Sequence, residues 1–201
     1  SASGATVTVR DSIFRANRQT ASDAGGPGAA LMLSGCTKAV VENCGFFGNS
    51  LPLLVSGTGA TSGNPLGDKF TTGSAIYSSV PTTVTGCRFS GNICIVRSYS
   101  TSGGAIWFAA GSTGSVVSNC FFYGNHDRAS WNTGAHQGGA IVVSLNSILD
   151  TLKVDGCTFA YNFVDGTDCA AGITAVKGTL YLENCVFGGN MVSPFTTTYS
   201  R

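Results

Sequence analysis

The chain has 201 residues, a formal net charge of +1, 43% hydrophobic residues and only 10% charged ones. That length fits one domain with enough apolar material to fill a narrow core, and so few charges exclude the basic stripe of a nucleic-acid binder. No apolar run approaches the ~18 residues of a transmembrane helix, and Ser1-Ala2-Ser3-Gly4 have neither the charged nor the apolar region of a signal peptide, so any targeting segment is expected to precede them.

The first element, Val7 to Asn17, sets a frame that returns with a period of roughly thirty residues. A phenylalanine is followed three residues later by an asparagine at Phe14/Asn17, Phe46/Asn49, Phe89/Asn92, Phe122/Asn125, Phe159/Asn162 and Phe187/Asn190. Two residues before each Phe stands Ser12, then Cys44, Cys87, Cys120, Cys157 and Cys185. Five and three residues before that position come Val7/Val9, Ala39/Val41, Thr82/Val84, Ser115/Val117, Leu152/Val154 and Leu180/Leu182. This period-two pattern predicts strands with one buried face. The residue before each Ser/Cys is Asp11, Asn43, Gly86, Asn119, Gly156 or Asn184, types that tolerate a left-handed backbone, so a bend is expected there. A second bend is expected just before the Asn, at Gly48, Gly91, Gly124 and Gly189.

From the second repeat on, a further strand precedes each block: Ala30–Leu33, Ala75–Tyr77, Ala105–Phe108, Ala140–Val143 and Gly172–Ala175. Three short strands per coil with a common inward set predict an all-β parallel β-helix of about six coils, spanning residues 1–201 as a single domain. Like residues would then stack at about 4.8 Å. The first strand starts almost at residue one and only Met191 to Arg201 follow the last Asn, so the chain reads as a segment of a longer solenoid or as a subunit whose ends neighbours cover.

Cys44, Cys87, Cys120, Cys157 and Cys185 form a column of small buried hydrophobes, expected to be mostly free thiols because parallel register aims their Cβ atoms the same way. Cys36, Cys94 and Cys169 lie off that column.

The segments between each Asn and the next strand, 18–28, 50–73, 93–103, 126–138 and 163–171, vary most and are expected to leave the solenoid at one corner. The longest, corner loop 50–73, reads as a covering flap. His126, Asp127, Arg128 and His136 are the loop-site candidates: two His and an Asp within a short segment have the makings of a metal or acid–base site. Lacking a third firm ligand, they read as a solvated loop. Asp165 and Asp168 suit a Ca²⁺ site, though a simple loop turn accounts for them equally well. No metal and no cofactor is expected. On the Ala-Ile strands the outward residues Met32, Tyr77, Trp107 and Val142 would stack into an apolar strip, covered either by corner loops or by another protein.

Gly103-Gly104-Ala105-Ile106 with Phe122/Asn125, and Gly138-Gly139-Ala140-Ile141 with Phe159/Asn162, resemble the repeat of chlamydial polymorphic outer-membrane proteins and similar microbial and algal surface proteins. Looser versions stand at Gly73-Ser74-Ala75-Ile76 and Ala171-Gly172-Ile173, so the likeness covers nearly the whole chain. The resemblance implies a right-handed, surface-displayed β-helix with an adhesive or structural role; this sequence lacks the membrane-barrel segment of the bacterial proteins.

The expected function is a non-enzymatic structural or adhesive module, extracellular or at the cell surface. Its expected partners are other protein chains, further solenoid of the same protein, or glycans. The alternative is a pectate-lyase-like polysaccharide lyase or glycoside hydrolase, which needs paired carboxylates on outward positions of adjacent coils. The outward positions of the Ala-Ile strands carry none.

Overall fold

The computed structural model describes residues 4–18, 28–52, 71–96, 102–129, 138–165 and 169–193. Within them every strand pairing is parallel and no helix occurs. The strands stack into a β-helix as the repeat predicts. The valine sheet has six strands, Thr6–Arg10, Lys38–Glu42, Thr82–Thr85, Ser115–Ser118, Thr151–Asp155 and Thr179–Glu183. The phenylalanine sheet also has six, Ile13–Arg15, Gly45–Phe47, Arg88–Ser90, Phe121–Tyr123, Thr158–Ala160 and Val186–Gly188. The Ala-Ile sheet has five, Leu31–Leu33, Ile76–Ser78, Ile106–Phe108, Ile141–Ser144 and Ile173–Lys177.

A fourth sheet corrects the expectation of three strands per coil. Ser50–Pro52, Ile93–Val96, His126–Ala129, Phe163–Asp165 and Met191–Ser193 pair in register directly after the asparagines. The variable segments therefore begin as strands, and a short pair, Thr71–Thr72 with Ser102–Gly103, lies nearer their other end. The remainder of these segments, including most of 50–73, Trp131, His136 and Asp168, lies outside the described residues.

Both predicted bends are present. Asp11, Asn43, Asn119 and Asn184 take φ of 48° to 53°, and Gly86 and Gly156 sit at 63° and 62°. At the second bend Ala16 and Tyr161, at 53° and 54°, stand where the other coils have glycine. A left-handed conformation costs an ordinary residue about 1–2 kcal/mol. Tyr161 sets its ring edge-on to Tyr123 at 5.6 Å, a contact a glycine would lack.

The core is a set of columns. Six phenylalanine rings, Phe14 to Phe187, stack at 4.8 Å with interplanar angles of 8° or less. Beside them runs the asparagine column. The backbone N–H and side-chain Nδ2 of Asn49 both donate to Asn92 Oδ1, at 3.1 and 2.9 Å, and Nδ2 also donates to the Phe14 carbonyl at 3.0 Å. Asn92, Asn125 and Asn162 repeat this arrangement, ending on Asn190. Asn49, Asn92, Asn125 and Asn162 are fully buried, and the ladder satisfies amides that would otherwise cost free energy there. Where the inward pattern of the valine sheet turns polar, at Thr82 and Ser115, hydroxyls close a second buried network. Thr82 Oγ1 meets Ser78 Oγ at 2.7 Å, and the Thr82 N–H donates to Ser115 Oγ at 2.8 Å.

The five column cysteines are free thiols. The sulfurs of Cys87, Cys120 and Cys157 each accept the backbone N–H of the preceding coil's cysteine, at 3.4 Å, and the column thiols point toward carbonyls such as that of Thr85, 3.3 Å from Cys87. Burial pushes the Cys44 and Cys185 thiols up, and the sulfurs of Cys157 and Cys87 push Cys120 up, whereas hydrogen bonding to Cys120 pulls Cys87 and Cys157 down.

Three tests follow from these columns. Phe122→Ala should cost about 3–5 kcal/mol in denaturant unfolding, the usual penalty for emptying a well-packed aromatic site. Asn125→Ala should be more damaging than Asn17→Ala, because it strands the buried Asn92 donors at about 1–3 kcal/mol each, whereas the Asn17 amide only donates, at 2.8 Å, from a partly buried position. Alkylation of the unfolded, unreduced protein, read by mass spectrometry, should label all five column cysteines. In the native protein Cys120 and Cys157 should react far more slowly than the half-buried Cys185.

Candidate functional site

The outward faces of the four sheets are where a ligand would meet this solenoid. On the Ala-Ile sheet Met32, Tyr77, Trp107 and Val142 stand in register, with Thr174 completing the row. They do not form a bare strip. Met32 is 56% exposed, but Trp107 is 6% and Val142 0% exposed. Trp107 and Val142 join Ala109 in a second apolar cluster, with Tyr77 packed against it. Strand alternation shows which side chains leave the core but not which are covered afterwards, so the sequence left this point open.

The predicted loop site divides across a strand. His126, Asp127 and Arg128 belong to His126–Ala129, not to a solvated loop, and alternation sends them to opposite faces. Asp127 is fully buried on the inward side, in register with Cys94 and Val164, while Arg128 is exposed. His126 lies outward, its ring edge-on to Phe163 at 4.7 Å. Its Nε2 is 3.4 Å from Asp165 Oδ2, and no hydrogen bond closes on that buried nitrogen. The structure thus pairs His126 with Asp165 and separates both from Asp127. His136 and Asp168 fall outside the described residues. Among the described residues no group of three or more His, Cys, Asp and Glu is placed to hold a metal ion. No helix among them is long and apolar enough to cross a membrane.

Sequence reasoning missed a polar column at the end of the valine sheet. Arg10, Glu42, Thr85, Ser118, Asp155 and Glu183, each just before a first-bend residue, are the last residues of their strands and stand in register. Arg10 pairs with Glu42 at 2.6 Å, and Thr85 bonds Ser118 through their hydroxyls at 2.9 Å. Lys153 reaches Asp155 at 3.5 Å and Glu183 at 2.9 Å, and Asn184 Nδ2 donates to Asp155 Oδ1 at 3.0 Å. Two carboxylates on adjacent coils with a lysine between them are therefore present. The Glu183 hydrogen bond holds the Lys153 ammonium above its ordinary range, and the Asn184 amide holds the Asp155 carboxyl below its own. The signal was available in the residue before each bend, which is polar or charged in every repeat and could have been read as a column.

The last coil exposes apolar residues: Val186 is 60%, Phe187 48% and Val192 44% exposed. An open recess of about 430 Å³ lies there, lined in part by Cys169, Gly172, Phe187 and Val192.

Parallel strands alone, four to a turn and stacked in register, define the class as a parallel β-helix. The chain belongs to the right-handed β-helix family: the family model described as "Right handed beta helix region" matches residues 1–201. No curated protein and no solved structure matches the chain.

The pairing at Asp155 can be checked by carboxyl NMR. The Asp155 side chain should titrate below the ordinary aspartate range, and Asn184→Ala should move its midpoint upward, since the amide is the leading cause of the depression. Because the folded pKa is depressed, any stability this carboxylate contributes is present above the unfolded value and lost as pH falls through the folded one.

Proposed function

We propose that this chain is a non-enzymatic structural or adhesive module of an extracellular surface protein or surface appendage, built on a repeat of the polymorphic outer-membrane-protein type. It acts through protein–protein or glycan contacts. The observation that carries this reading is the state of the outward carboxylates. Glu42 is held by Arg10, and Asp155 and Glu183 are both held by Lys153, on an open sheet face. A general acid or base works best with a pKa near the working pH, and Lys153, pushed up by Glu183, stays protonated.

The same Asp155–Lys153–Glu183 cluster is the one observation that favours the second reading, a polysaccharide lyase or glycoside hydrolase. Incubation of the intact chain with polygalacturonate separates the two. The expected result is no new reducing ends and no unsaturated product. Cleavage that disappears in Asp155→Asn, Glu183→Gln or Asp165→Asn would overturn the non-enzymatic reading.

A further inference from the structure

Resting on that adhesive reading, we propose that the outer face of the phenylalanine sheet binds an acidic polysaccharide laid along the solenoid axis. Strand alternation that buries the phenylalanine column sends two other columns outward. One reads Arg15, Phe47, Ser90, Tyr123, Ala160 and Gly188, and the other Ile13, Gly45, Arg88, Phe121, Thr158 and Val186. Aromatic rings thus stand in the first column at the second and fourth coils, with small residues at the third and fifth.

Phe47 packs over a buried glycine. A Cβ on Gly45 would lie 2.4 Å from the Phe47 ring, so the missing side chain lets the ring settle against the sheet. Two coils further on, Tyr123 is 43% exposed, lies parallel to Phe121 within 9° at 6.0 Å, and is met edge-on by Tyr161. The Arg88 guanidinium sits over the Phe121 ring at 5.3 Å, which fixes its direction. Arg15 and Arg88 are exposed, and no ion pair among the described residues engages either. No outward position of this sheet holds a carboxylate. The nearby acids Glu42, Asp155 and Glu183 are already held on the valine sheet.

The face is therefore aromatic and cationic, with a rise of 4.8 Å per coil. An extended chain of pyranose rings advances by a similar distance per sugar. Phe47 and Tyr123 would then lie under alternate sugars, Ser90 would offer a hydroxyl between them, and the arginine forks would meet carboxylate or sulfate groups. Apolar contact with the sugars needs the exposed rings and charge complementarity needs the arginines, and one sheet face carries both.

Isothermal titration of the intact chain tests this, with polygalacturonate oligomers, dextran sulfate and the neutral cellohexaose as probes. Binding is expected for at least one acidic probe and to be much weaker for cellohexaose. Tyr123→Ala, Arg88→Ala and Gly45→Ala should each weaken it by about tenfold, or 1.4 kcal/mol. Gly45→Ala removes no ligand contact and acts by displacing the Phe47 ring. Met32→Ser, on a different face, should leave binding unchanged. Circular dichroism of each variant establishes that the fold is intact. Failure to bind either acidic probe, equal binding of cellohexaose, or folded Tyr123 and Arg88 variants that bind like the parent would each overturn the proposal. Product formation in the same titration tests the non-enzymatic reading separately: cleavage with the face variants still defective would sink that reading and leave this face standing.

Discussion

The buried asparagine amides can be satisfied in only one way. Each Oδ1 accepts two donors from the preceding coil, and each Nδ2 reaches a carbonyl beside the phenylalanine ring there. That geometry holds only if successive coils sit one strand spacing apart and in register. Once it does, the phenylalanine three residues earlier has no choice but to fall under its counterpart. The cysteine two residues before that takes the same position relative to its neighbours, with sulfur accepting the backbone N–H at the first bend. A slip by one residue would turn the phenylalanines to solvent and leave buried amides unpaired. The other columns inherit their alignment from this one.

Because alignment is enforced at the asparagine corner, length can vary elsewhere. Successive asparagines are separated by 32, 43, 33, 37 and 28 residues, yet the ladder is unbroken through all of them. The extra residues lie between the post-asparagine strand and the Ala-Ile strand, and at the turn into the valine sheet, where Ser79–Pro81 has three residues but Ala109–Gly114 and Leu145–Asp150 have six each. Outward positions are similarly free. They hold an ion-pair and hydroxyl column on the valine sheet and aromatic rings with arginines on the phenylalanine sheet.

The parts of this fold that the sequence made legible are those where one residue type recurs in a column. Val, Cys, Phe and Asn each serve one packing or hydrogen-bonding role at every coil, so their spacing spelled out two sheets and two bends. The post-asparagine sheet stayed hidden because its inward column is Leu51, Cys94, Asp127, Val164 and Val192, with no shared chemistry to mark it. His126 and Asp127 consequently looked like neighbours in a loop, when pleating places them on opposite faces. The covering of Trp107 and Val142 was invisible for another reason. Alternation reports direction relative to the core, whereas burial on the outer face depends on packing that has no period. The His126–Asp165 contact joins residues from two coils, and only the register of the fourth sheet reveals it.

The hydrogen bonds between coils all run along the solenoid axis, while the covalent chain runs around it. Tension applied along that axis is therefore borne by the weak bonds between rungs and not by the peptide backbone. A rung that lets go does not sever the molecule; it frees a loop of 28 to 43 residues, about 90–150 Å of extended chain. With the edge rungs released first, the solenoid lengthens one coil at a time under load and can rewind when the load falls. Under axial load this makes the stack an extensible spring whose step size is set by the number of residues between successive asparagines.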